Sequence, residues 1–181
     1  MNDAIRPTNS NSLRELIKAD LLANRRNFKF YFLLVAFRVL SYYLEGERRA
    51  PPAIRLPLDA AYRLFCSTFY SLELPLKTQV GPGLAIFHGF GTVINDSAVI
   101  GSRVLIRHGV TIGHAVVDGP CPIIGDGVEI GAGAIILGGV TIGADARIGA
   151  GSLVTHDVPA GSVHRVRRIA TAESPVLGNS G

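Results

Sequence analysis

Apolar β-branched residues recur every six positions through the second half of the chain. The series begins with Val80 and Ile86, continues through Ile94, Ile100, Ile106 and Ile112, and resumes at Ile124, Ile130, Ile136, Ile142, Ile148 and Val154. Glycine follows the apolar residue at Gly81, Gly101, Gly113, Gly125, Gly131, Gly143 and Gly149, and a small or medium side chain comes four residues after it, at Ala98, Val104, Val110, Val128, Ala134, Val140, Ala146 and Ser152. An ordinary half-buried strand alternates with period two. A period of six with glycine beside the core residue therefore predicts short strands joined by repeated turns, each hexapeptide forming one side of a coil. Two inserted residues between Ile86 and Ile94 shift the phase. The stretch Asp118 to Ile123 leaves the phase unchanged, so periodicity alone does not decide whether it protrudes or forms a regular side.

The first third of the chain has a different rhythm. Ser12 with Glu15 three residues on makes a capping box, and a helical pattern runs from there to about Glu45, open to interruption at Asn27. Phe30, Leu33, Leu34, Phe37 and Leu44 share one face, and Pro51-Pro52 ends the run. A second helix is predicted from Leu58 to about Ser71, with Leu64, Phe65, Phe69 and Leu72 as its apolar positions. The expectation is a helical region over 1–72, a coil over 73–159 and a tail over 160–181. The helices read as packing elements.

Composition narrows the class. Hydrophobic residues at 48% and charged residues at 18% exclude a disordered chain, and 21 glycines without a tryptophan suit a framework of many tight turns. A net charge of +4 over 181 residues is too modest to predict a nucleic-acid face, though it suits a small phosphorylated ligand. Two cysteines, Cys66 and Cys121, are too few for a disulfide framework and fit a reducing compartment. The polar segment Met1 to Asn11 lacks the apolar core of a secretory signal. Phe28 to Leu44 carries Lys29, Arg38 and Ser41 and falls short of the roughly 20 apolar residues that span a bilayer. The expected location is the cytoplasm, with the inner membrane face and a loose membrane contact left open.

Four of the five histidines, His88, His108, His114 and His156, stand two residues after the apolar residue that starts a hexapeptide. That place faces outward near a corner, which disfavours a buried structural role. His164 falls in the tail without a clear role, and His156 reads as a surface residue.

The stretches Ile130-Gly131-Ala132-Gly133-Ala134-Ile135, Ile142-Gly143-Ala144-Asp145-Ala146-Arg147 and Ile148-Gly149-Ala150-Gly151-Ser152-Leu153 resemble the repeat of hexapeptide acyltransferases, over about Glu73 to Ala170. The resemblance implies a mainly β fold, a left-handed parallel β-helix with three hexapeptides per triangular turn, preceded here by the small helical region. It also implies homotrimers with active sites between subunits, or two trimers paired. The left hand comes from the family, since the general crossover rule favours the opposite one. On a three-sided coil, His88 and His108 are expected to stack on neighbouring turns, about 4.8 Å apart along the axis.

The segment Ile86-Phe87-His88-Gly89-Phe90-Gly91-Thr92-Val93-Ile94 resembles the catalytic stretch of serine acetyltransferases, in which the matching histidine is the base and a carboxylate at the position of Glu73 orients it. The implied reaction moves an acetyl group from acetyl-CoA directly to a hydroxyl. It needs a base for the hydroxyl proton, a donor for the oxyanion and a slot that aligns both substrates. The alternative for Glu73 is a solvated residue at the helix-to-coil junction. His108 is placed at the acceptor or beside the base, with a bystander role of equal weight, and His114 near the thioester. Positions matching the family's CoA contacts are Gly113, Ala132, Ala150 and Arg147, with Arg165, Arg167 and Arg168 as candidates for the phosphates or as a solvated basic tail.

The acceptor positions depart from serine acetyltransferases. Phe87 stands where the family has an aspartate, and Pro120-Cys121 replace its Arg-His pair. A zwitterionic amino acid needs a cation for its carboxylate and an anion for its ammonium. Together with Cys121-Pro122-Ile123-Ile124-Gly125 and the helical N-terminus, the motifs more closely resemble colanic acid biosynthesis acetyltransferases, which implies a sugar hydroxyl in exopolysaccharide synthesis as acceptor, with serine as the alternative. Cys121 reads as a loop residue rather than a nucleophile. No metal is expected. The rivals are a zinc carbonic anhydrase of the same fold, conceivable through His88, His108 and His114, and a non-catalytic trimeric scaffold.

Overall fold

The computed structural model describes residues 12–25, 28–45 and 51–165. Three helices come first: α1 (Leu13–Ala23), α2 (Phe28–Glu45) and α3 (Pro52–Tyr70). The capping box of α1 forms, with the Ser12 N–H donating to Glu15 Oε2 at 2.8 Å. Phe30, Leu33, Leu34, Phe37 and Leu44 of α2 are all buried. The predicted interruption at Asn27 lies outside the described residues.

The third helix corrects the reading of Pro51-Pro52 as a stop. Proline lacks the N–H that a first helical turn leaves unpaired anyway, so Pro52 opens α3 six residues before the predicted start at Leu58. Its buried side chains are Tyr62 and Cys66, while Leu64, Phe65 and Phe69, predicted as packing positions, are exposed.

The remainder is a parallel β-solenoid of about five turns. The first turn comprises β1 (Leu72–Glu73), β2 (Gln79–Val80) and β3 (Ala85–Phe87), and the second β4 (Thr92–Ile94), β5 (Val99–Ile100) and β6 (Leu105–Arg107). The third holds β7 (Thr111–Gly113), β8 (Ile123–Ile124) and β9 (Glu129–Ile130), and the fourth β10 (Ile135–Leu137), β11 (Thr141–Ile142) and β12 (Arg147–Ile148). The fifth is β13 (Leu153–Val154), a bridge from Val158 to Ile142, and β14 (Val163–His164). Each strand pairs with the one a turn away, giving a first face β1-β4-β7-β10-β13, a second β2-β5-β8-β11 and a third β3-β6-β9-β12-β14. Coil pairing thus continues to His164, past the 159 boundary read from the sequence.

Each isoleucine of the six-residue series from Ile86 to Ile148 points into the core and is buried. The glycine after it answers a close approach: a Cβ on Gly125 would lie 2.7 Å from Ala144 N in the next turn, and one on Gly81 2.7 Å from Gly101 C. Any side chain there would push successive turns apart. Between β7 and β8 residues 114–122 leave the coil as a loop, with Val117 at 91% exposure, and Ile123 re-enters it.

A parallel solenoid ends on open strand edges, and unpaired edge groups must be covered. Here α1 and α2 cover them with side chains. Asp20 Oδ1 accepts from Gly83 N (2.9 Å) and Leu84 N (3.0 Å), and Asn24 donates to Leu84 O (2.7 Å) and accepts from Ile86 N (3.1 Å). Arg38 donates to Val80 O (2.6 Å) and to Gly81 O, and pairs with Asp20 at 2.7 Å.

Candidate active site

The corner between the third and first faces carries His88. In the second turn the chain passes from Ile106 to Ile112 in six residues, whereas in the first it takes eight from Ile86 to Ile94. Phe87 still pairs with Arg107, after which the chain swings outward at His88, held at φ 54°, with Phe90 N donating to His88 O at 2.7 Å. Positive φ is uncommon for any side chain but glycine's, and histidine is among the better tolerated.

Backbone bonds then define a column. Gly109 N donates to Phe90 O (2.9 Å), Gly133 N to His108 O (2.9 Å) and Gly151 N to Ala132 O (2.8 Å). Phe90, not His88, therefore occupies the place over His108, and the two-residue insertion is the reason the expected stacking of the two imidazoles is not kept. Both histidines are exposed. Ala132 and Ala150 continue the wall below them, and a Cβ built on Gly133 or Gly151 would meet nothing within 4 Å. The surface along this column is open and built of small residues.

Glu73 lies on β1 opposite Val93, exposed, at the start of the same face. Among the described residues no hydrogen bond or ion pair joins it to His88.

A second cluster occupies the next corner, between the first and second faces. Cys121 Sγ lies 3.3 Å from Asn95 Oδ1, 3.2 Å from His114 Nδ1 and 3.8 Å from His114 Nε2. Near-equal distances to the two ring nitrogens place the sulfur over the imidazole, not along the Nδ1 lone pair. Asn95 Oδ1 also accepts from Ser97 N at 2.9 Å, which fixes the amide with its oxygen toward the thiol. The S–H therefore donates to Asn95. Burial, with Asp96 adding to it, pushes the Cys121 thiol above its ordinary pKa. Sequence reasoning missed Asn95, although it stands after a core isoleucine where most repeats have glycine.

One chain thus brings His88, Phe87, His108, Ala132 and Ala150 to one corner, and Gly113, His114 and Cys121 to the other. Arg147 is outward on the third face, 3.8 Å from Glu129, both exposed, a pair of little energetic weight. Arg165 is exposed, and Arg167 and Arg168 lie outside the described residues. His164, read as tail, pairs its ring with that of exposed His156 at 5.3 Å between centroids. Among the described residues no group of three or more His, Cys, Asp or Glu side chains is placed to hold a metal, and no helix is long and apolar enough to cross a membrane.

Residues 121–156 match the family model for bacterial transferase hexapeptide (six repeats). Over 96 residues the chain is 38% identical to the Escherichia coli protein named as a colanic acid biosynthesis acetyltransferase, WcaB, covering 51% of this chain and 59% of that one. It is 37% identical over 86 residues to serine acetyltransferase 4 of Arabidopsis thaliana, 48% of this chain and 22% of that one. Soybean serine acetyltransferase complexed with serine superimposes with a TM-score of 0.74 at 34% identity, over 86% of this chain and 68% of that one. The chain spans between a fifth and three fifths of the two sequence relatives. The solenoid matches the left-handed β-helix of the serine acetyltransferases.

Proposed function

The chain belongs to the hexapeptide transferase family, and from that membership and the His88 corner we propose that it is an acetyl-CoA-dependent O-acetyltransferase. One observation carries this reading: an exposed histidine on a two-residue insertion stands beside the head of an open column of residues that continues through the small side chains of Ala132 and Ala150. His88 takes the proton from the acceptor hydroxyl as its oxygen attacks the acetyl carbonyl. The C–S bond of the thioester then breaks, and the imidazolium returns the proton to the CoA sulfur. Glu73 is the proposed orienting carboxylate, which requires a closer approach in the substrate complex than the free chain has. Ala132, Ala150 and Gly113 leave room for the donor, with Arg147 and Arg168 toward its phosphates and His114 near the thioester.

The proposed acceptor is a sugar hydroxyl, as in exopolysaccharide synthesis. Phe87 offers no anion for an ammonium group, and the second corner presents a thiol, an imidazole and an amide where a carboxylate would need a cation. His108, Phe87 and Cys121 are the proposed acceptor contacts. Serine is the second reading, favoured by the serine acetyltransferases among the relatives and solved structures. The chain is further proposed to act as a homotrimer in the cytoplasm, where acetyl-CoA is at hand.

Acceptor profiling with acetyl-CoA decides between the two: nucleotide sugars and oligosaccharide repeat units are expected to turn over, and efficient turnover of L-serine alone would overturn the sugar reading. Replacing the base, His88→Ala, should lower kcat by about 10²- to 10⁴-fold with acetyl-CoA affinity little changed. An unchanged rate removes His88 from the mechanism.

A further inference from the structure

The corner bearing His88 is held by the helices as well as by the coil. It belongs to the first turn and contains two residues more than the corner below it; on the coil side Phe87 pairs with Arg107, Gly109 N donates to Phe90 O at 2.9 Å and Thr92 Oγ1 donates to Arg107 O at 3.1 Å, while His88 and Gly89 form the extra bulge. On its other side stand α2 and the end of α3. Phe30 of α2, 1% exposed, meets Phe90 edge-on at 6.0 Å between centroids and Tyr70 at 5.4 Å. Ser71, the left-handed cap of α3, accepts from Gly91 N at 2.7 Å.

We propose that Phe30 is a positioning residue for His88, fixing the imidazole through the backbone of Gly89 and the ring of Phe90. This rests on the reading of His88 as the base. The glycine between His88 and Phe90 shows why the ring matters. A Cβ on Gly89 would come within 3.1 Å of Phe30 Cε1 and would run into the Ile86 side chain, so the backbone lies directly on the Phe30 ring. Among the described residues the His88 imidazole has no hydrogen-bond partner to aim it. In the free chain its direction follows from the backbone, and the backbone is seated on Phe30. Edge-on aromatic contacts are directional, and a misplacement of about 1 Å away from the chemistry can cost on the order of a hundredfold in rate.

Phe37 provides the control, being on the same helix and likewise 1% exposed. Both Phe30→Ala and Phe37→Ala remove a buried ring from α2, but only the first lies under the corner. The experiment compares kcat per folded enzyme, KM for acetyl-CoA and the imidazole NMR signal of His88, assigned by its loss in His88→Ala. Phe30→Ala is expected to lower kcat by about tenfold to a hundredfold with KM for acetyl-CoA within about twofold, to shift or broaden the His88 signal, and to be largely rescued in Phe30→Leu. Phe37→Ala is expected to lower the unfolding midpoint while leaving kcat and the His88 signal in place. An unmoved His88 signal in Phe30→Ala, or equal losses of kcat in the two variants, overturns the proposal. Wild-type turnover in His88→Ala would instead overturn the base assignment, and the NMR comparison would still report on positioning.

Discussion

At Cys121 the chain puts a thiol against an imidazole, a pairing that in other settings makes a nucleophile. The local geometry argues otherwise. An activated thiol needs a base along its S–H direction and surroundings that favour the thiolate, but Asn95 Oδ1 accepts from the sulfur and burial, with Asp96, holds the proton on it. A raised pKa means a smaller thiolate fraction at any pH below it. Iodoacetamide should therefore label Cys121 more slowly than free cysteine at pH 8, with a rate still climbing where free cysteine has levelled off, as peptide mass spectrometry can follow. Cys121→Ser should keep turnover within about tenfold, since a hydroxyl also donates to Asn95; a loss beyond a hundredfold, or an acetylated thiol in the mass spectrum, would sink this account. Only part of the arrangement was legible in the sequence. His88 and Cys121 stood out by residue type and motif, but Asn95 touches Cys121 across 26 positions of chain, and no local pattern joins residues from successive turns.

Three buried polar side chains, with Ser41 donating to Leu76 O beside them, carry the covering of the open coil edge by α1 and α2. Asp20, Asn24 and Arg38 are 1%, 1% and 5% exposed, and between them they engage backbone groups from Val80 to Ile86. Removing the cation from a buried pair strands its partner, which typically costs about 3–5 kcal/mol. Arg38→Ala should lose that much in urea unfolding, whereas Arg63→Ala, which breaks an exposed pair with Asp59, should lose less than about 1 kcal/mol. Equal losses would mean the edge is covered by something other than this pair. The short strands of the six-residue repeat could be read before the structure because their period, glycine and core residue all arise from one repeated geometry. The helices were harder: Pro52 and Pro57 disguise the first turns of α3, and Leu64, Phe65 and Phe69 have the spacing of a packing face yet turn to solvent. Spacing along a helix says which residues share a face, not whether a neighbour covers it.

Across the whole molecule the four proposed histidine and cysteine site residues divide between two corners of the coil, at opposite edges of the first face. His88, His108, Ala132 and Ala150 lie at one and His114 and Cys121 at the other, while the face between them exposes Val93 at 38%, Ile135 at 39% and Leu153 at 58%. If a single chain formed the site, the donor would have to reach across that face. If three chains pack around a common axis, the His88 corner of one can meet the His114 corner of the next, and the apolar residues between are covered. Closed rings of this kind repeat one interface, which makes the arrangement testable by mixing. Take His88→Ala and His114→Ala, each expected to be nearly inactive alone, and assemble them together. In a two-chain site, a junction is intact when an unaltered His88 meets an unaltered His114 from its neighbour, so random assembly should restore about a quarter of the sites. A site built within one chain restores none, because every chain carries one of the two lesions. Sedimentation at the mass of three chains together with that recovery would support the shared site; three-chain mass with no recovery would place the reaction at the His88 corner of each subunit alone.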